Sequence, residues 1–249
     1  MRSGNPALND KTFGGVFAGQ VAGQEVMTLS GTVNKCFLLA IILLATAGYT
    51  WNLFFQNPFN PAIQTWMWVG LIGGIISALV AIFKPTTSPI AAPIYAAFEG
   101  LALGGISATF EARFPGIVVQ AAGLTMTTLI ALLMAYRSGF IKATENFKLG
   151  VAAATGGIAL MYLFSMIGGF FGMPFSFLHD SSLLSIGISG FIVVIAALNL
   201  VMDFDFIEGA AERRAPKFME WRAALGLMIT LVWLYFEILR LLSKLQSRD

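Results

Sequence analysis

The chain has 249 residues, 57% of them apolar and 11% charged, with a mean hydropathy of +0.79. An average soluble domain carries about 25% charged residues, so there is too little charge here to coat a water-facing surface, which excludes a soluble enzyme. A net charge of +2 with no basic cluster among aromatics excludes nucleic acid as a partner, and the single cysteine, Cys36, excludes a disulfide or a thiolate metal cluster.

Residues 1–34 are polar. Their opening, MRSGNPALNDKTFGGVFAGQ, lacks the short apolar core and small-residue cleavage site of a signal peptide, and reads as a retained cytoplasmic tail. Residues 35–249 read as one transmembrane domain. A span needs about 20 apolar residues, and six stretches meet that length: Cys36 to Phe55, Thr65 to Phe83, Ile90 to Phe110, Gly116 to Tyr136, Leu149 to Phe171 and Leu183 to Met202. The connections QNPFNPAIQ, KPTTSP and RFPG carry proline where helices should stop. A seventh stretch, Ala223 to Leu242, contains Glu237 and Arg240. A charge at a helix centre costs about 2.5–3.5 kcal/mol on insertion scales, so this helix is expected inside the bundle, with a re-entrant segment as its alternative. The expected fold is all-α: a seven-helix transmembrane bundle.

Lys and Arg favour the cytoplasmic side of short loops. With the N-terminus cytoplasmic, that side holds Arg2, Lys11, Lys35, Lys84, Arg137, Lys142, Lys148, Arg213, Arg214, Lys217 and Arg222. The opposite loops hold Arg113, joined by Arg240, Lys244 and Arg248 if the seventh stretch spans. Two small-residue pairs, Gly70 with Gly74 and Gly100 with Gly104, have the GxxxG spacing that lets helix backbones approach. Pro93 is expected in the first turn of the third helix, where it is tolerated. There is no internal repeat.

Signatures of hydrolases, nucleotide sites and cofactor sites are missing, so neither enzymatic activity nor a cofactor is expected. The lone histidine, His179, falls in a predicted loop beside Asp180 and reads as solvated. The chemical signal is acid at membrane depth: Glu99 in the third helix, Asp203 at the end of the sixth with Asp205 after it, and Glu237 in the seventh. Each has a plain alternative. Glu99 could be a hydrogen-bonded neutral acid, Asp203 and Asp205 head-group charges, and Glu237 a local partner of Arg240 three residues on. Three acids on three helices nonetheless suggest a polar interior path. Carboxylate oxygens bind hard cations such as Ca²⁺, and burial or a like charge moves a carboxyl toward neutrality. H⁺, Na⁺ and Ca²⁺ are all compatible with such a path.

The run ALNLVMDFDFIEGAAERRAPKFMEWRAALGLMITLVWLYFEILRLLSKL, the opening MRSGNPALNDKTF and the third-helix run AAFEGLALGGIS together resemble the Bax inhibitor-1 family, most of all its bacterial YccA-like branch. The resemblance covers nearly the whole chain. It implies seven helices with the seventh in the centre, in the bacterial inner membrane, and a pH-sensitive cation leak, chiefly of Ca²⁺. In the family the gate is a pair of aspartates on the last two helices. Asp203, followed by Ile207 four residues on, matches the first; the position of the second is Thr230, which cannot share a proton as a carboxylate would. Asp205, Glu220 and Glu237 are the substitutes at hand, Glu237 about 10 Å beyond Thr230 along the helix. Lys84 stands where the family places a basic residue near the end of the second helix. The rival reading is a non-transporting membrane regulator of a partner such as a membrane protease, with the N-terminal tail as its handle.

Overall fold

The computed structural model describes residues 25–171, 180 and 182–248. Over these residues the chain forms seven long helices: α1 (Leu29–Gln56), α2 (Pro61–Phe83), α3 (Ser88–Arg113), α4 (Ile117–Arg137), α5 (Glu145–Phe170), α6 (Leu183–Glu212) and α7 (Met219–Gln246). A single 3-10 turn, Pro85–Thr87, leads into α3. All seven are long and apolar enough to cross a membrane, and helices keep their backbone polar groups satisfied where no water is present. The chain is an all-α integral membrane protein. The end of the bundle from which α1 sets out is called proximal below, and the opposite end distal.

Short polar signals set the helix starts. The Thr28, Asn60, Thr144 and Ser182 side chains accept from the first-turn amides of α1, α2, α5 and α6, and Pro61 follows Asn60 at the first helical position. The start of α4 is capped from the end of α3: Glu111 accepts from the Gly116 amide at 2.6 Å and the Val118 amide at 3.0 Å. Gly116 has φ +86, which suits glycine and lets the chain turn sharply between the two helices.

Several helices outrun the apolar stretches. The first begins at Leu29 and not Cys36, because the Thr28 cap carries it back through GTVNK. Helix α6 continues ten residues past Met202, since Asp205 and Glu208 find partners on α5 and α4. Helix α3 starts at Ser88, so Pro93 lies in its second turn rather than its first. The seventh stretch is one unbroken 28-residue helix, about 42 Å long, and a re-entrant segment is set aside.

Helix α7 occupies the centre. Its apolar window is 56% buried, against 11% for α5, and it has polar or packing contacts with every other helix. Glu220 meets Lys35 of α1, Arg222 the end of α2, and Tyr235 meets Ser107 of α3. Leu234 packs with Ala121 of α4, Glu237 meets Tyr162 of α5, and Lys244 meets Ser185 of α6. Both GxxxG pairs work at helix crossings. A Cβ on Gly100 or Gly104 would lie 2.2 or 2.1 Å from the carbonyl oxygens of Leu43 or Ala47 on α1. Gly70 is equally close to α3, 2.5 Å from the Phe98 oxygen. The outward faces, with Ile72, Ile75, Ile130 and Phe164 exposed, are the lipid-facing surface.

Candidate functional site

Buried polar groups follow α7 from end to end. At the proximal end Glu220 is fully buried in the helix's first turn. Its carboxylate takes Lys35 Nζ at 2.7 Å and Lys217 Nζ at 3.1 Å, and accepts from both the amide and hydroxyl of Thr28 at 3.0 Å. The segment before α1 is laced to the α6–α7 connection: Met27 N donates to Ala215 O at 2.7 Å, and Lys217 N to Glu25 O at 3.1 Å. Two residues along, fully buried Arg222 donates to the carbonyls of Ala81 and, at 3.3 Å, Ile82. These are last-turn oxygens of α2, which its own helix leaves without donors, and a cation there also suits the helix dipole.

The middle of the column contains Asp203 and Thr230. Asp203 is completely buried, nine residues from the end of α6, and lies within electrostatic reach of Cys36 on α1. Thr230 is buried eleven residues from the start of α7, with its hydroxyl bonded to Gly226 O at 3.3 Å. At 1.5 Å per residue both sit about 14–17 Å from the proximal helix ends. One turn distal of Asp203, buried Asn199 donates to Thr155 Oγ1 of α5 at 2.8 Å.

Further out lies an aromatic–ionic cluster. Glu237 accepts from Tyr162 O–H at 2.8 Å and Trp233 Nε1 at 3.2 Å, and pairs with Arg240 at 3.4 Å. Arg240 in turn donates to Tyr162 Oη at 2.5 Å and lies over its ring. At the distal end Lys244 Nζ donates to Ser185 Oγ at 2.7 Å and Ser189 Oγ at 2.8 Å. Of the two bases on the sparsely basic side of the bundle, Lys244 is thus buried, while the partly exposed Arg240 is held by Glu237 and Tyr162.

Helix α5 joins this column through a narrow polar stripe. Lys148, Thr155 and Tyr162 recur every seven residues on one face. They meet, in order, Asp205 at 2.8 Å, Asn199, and the Glu237–Arg240 pair. At its proximal end the stripe borders a polar cavity of about 440 Å³ lined by Tyr136, Lys142, Thr144, Asp205 and Glu208.

The sequence candidates therefore separate. Glu99 is half-buried against α2, where a Cβ on Gly74 would sit 3.0 Å from its Oε2, and it belongs to the α2–α3 crossing rather than the column. Asp203 and Thr230 share a depth; Glu237 is a separate station paired with Arg240; Asp205 and Glu220 are held by lysines. Lys84 is exposed, and the buried base beside the end of α2 is Arg222. Among the described residues no three of His, Cys, Asp or Glu group to hold a metal, so Asp203, Glu99 and Glu237 form no common cation cage. His179 lies outside the described residues.

In the sequence Arg222, Lys244 and Lys148 read as charges flanking the spans, and Asn199 and Tyr162 carry no signal of their own. Two spacings were available: Ser185 with Ser189 four apart, and the 148–155–162 repeat. A family model described as Bax inhibitor 1 like matches residues 5–247 of the chain. Searches of curated proteins and of solved structures each returned no match.

Proposed function

The chain belongs to the Bax inhibitor 1 like family of membrane proteins, and from that premise we propose that it is a pH-sensitive cation leak, chiefly for Ca²⁺, of the bacterial inner membrane. The observation that carries the reading is the column of buried polar groups along α7, from Glu220 through Asp203, Asn199 and Glu237 to Lys244. Ionisable groups at membrane depth mark ion and proton paths. Asp203, buried about a third of the way in from the proximal end, is the gating carboxylate: ionised, it presents oxygens that a hard cation prefers. The ion is cargo that passes stations one at a time, in keeping with acids spread along the helix. The basic residues at the proximal end support a cytoplasmic N-terminus.

Thr230 at the depth of Asp203 makes this a single-acid gate in place of a proton shared between two acids. The test is Ca²⁺ and H⁺ flux in proteoliposomes across a pH series. Asp203→Asn is expected to remove the pH dependence, and Thr230→Asp to move its midpoint upward, since two adjacent carboxyls resist double ionisation. Flux with an unchanged pH profile in Asp203→Asn takes that residue out of the gate; no flux of any small cation refutes transport.

The second reading, a regulator of a membrane protease, is favoured by the lacing of residues 25–28 to the α6–α7 connection. A pull on the N-terminal segment would be felt by the central helix. Deleting residues 1–24 separates the two: loss of partner capture with intact flux favours regulation.

A further inference from the structure

We propose that a membrane-lipid acyl chain occupies a lateral apolar cavity between α1 and α4 and rests on the central helix. The cavity has a volume of about 390 Å³, within the roughly 300–1,000 Å³ range of ligand pockets. Its floor is buried: Leu43 and Ala47 of α1, Met228 and Val232 of α7. Its rim is exposed: Leu44 and Gly48 of α1, Ala122 and Met126 of α4. The opening therefore faces sideways, and along α1 it runs from Ala40 to Trp51, about 17 Å. That stretch begins eleven residues inside α1, so the mouth lies at hydrocarbon depth and not at a water-filled end.

The chemistry of the walls selects the occupant. The polar atoms at the floor are already satisfied: Ser107 Oγ and Tyr235 Oη are 2.7 Å apart, and Thr125 Oγ1 donates to Ala121 O at 2.8 Å. A water there would lack the two to four partners it needs, and a polar ligand would find none. An empty void would forfeit dispersion contacts along the whole lining. Hydrocarbon is the solvent at the mouth, because the rim runs into the lipid-facing residues Ile41 and Val119 on either side. Gly48 keeps the entrance wide: a Cβ built there meets nothing within 4 Å. The proposal is independent of the transport reading, and its test involves no flux.

Full-length protein is placed in nanodiscs of a phosphatidylcholine carrying a diazirine midway along one acyl chain, irradiated, and mapped by peptide mass spectrometry. Adducts are expected on the buried floor residues Leu43, Ala47, Met228 and Val232 as well as on outward residues. Gly48→Phe, which projects into the mouth, is expected to abolish the floor adducts while leaving those on Ile41 and Val119. Ala122→Phe fills the mouth from the opposite wall and serves if the first variant does not fold, folding being checked by an unchanged thermal transition. Adducts confined to outward residues, or floor adducts undiminished in both folded variants, would overturn the proposal.

Discussion

Gly31→Ala tests the proximal lock most directly. A Cβ at this position would fall 2.0 Å from Glu220 Oε1 and 2.5 Å from Oε2, so the carboxylate must leave its seat. Leaving it breaks the contacts to Lys35, Lys217 and Thr28 together. Breaking a buried ion pair costs about 3–5 kcal/mol when it leaves a charge buried and uncompensated. Here only Glu220 is fully enclosed; the Lys35 and Lys217 side chains are 22% and 42% exposed and can turn to water. Screening at those ends lowers the expectation to about 2–4 kcal/mol. At roughly 2–4 °C per kcal/mol for a chain of this size, the apparent Tm in detergent should fall by several degrees. The assay is tryptophan fluorescence during heating at one scan rate, helped by Trp221, whose ring lies beneath Lys35. Glu220→Ala removes the obstacle as well as the contacts, so Gly31→Ala added to it should cost almost nothing, a strongly non-additive cycle. Full destabilisation by Gly31→Ala in the Glu220→Ala background would refute the reasoning.

Tyr162→Phe deletes the donor to Glu237 and the acceptor for Arg240, and should destabilise the α5–α7 contact by about 1–3 kcal/mol, read as a lower apparent Tm; Phe164→Tyr on the exposed face should not do so. Gly104→Leu should abolish folded, monodisperse protein on size exclusion because α1 backbone lies where the side chain must go, whereas Gly48→Ala should behave as wild type. Asp180, exposed before α6, is held below the ordinary aspartate range mainly by the Ser182 hydroxyl, which donates to it at 2.8 Å. The stabilisation this carboxylate lends the start of α6 is therefore present above the ordinary value and lost as pH falls through the depressed one; a carboxyl ¹³C titration with its midpoint at or above about 3.9 would refute this.

The seven spans, their turns and the small-residue pairs on α2 and α3 that permit close crossings were legible in the sequence, though not the helix that each pair meets. Hydropathy, proline and GxxxG spacing are local properties, and in hydrocarbon the local backbone rule leaves little choice but a helix. The charges of α7 also pointed to its central place, because a bilayer penalises them anywhere else. Partners were a different matter. Glu99 and Asp203 look alike along the chain, yet one lies against Gly74 at a helix crossing and the other within the buried column. Arg222 and Lys84 are equally basic; only the approach of α7 to the end of α2 decides which is buried and which is exposed. Of the four contacts to Glu220 only that with Lys217, three residues before it, is local; Thr28 and Lys35 lie almost two hundred residues away. Composition and periodicity determined that this chain is a membrane bundle with acids inside. Which acid meets which base depends on helix rotation and depth, and those are set by packing between distant segments.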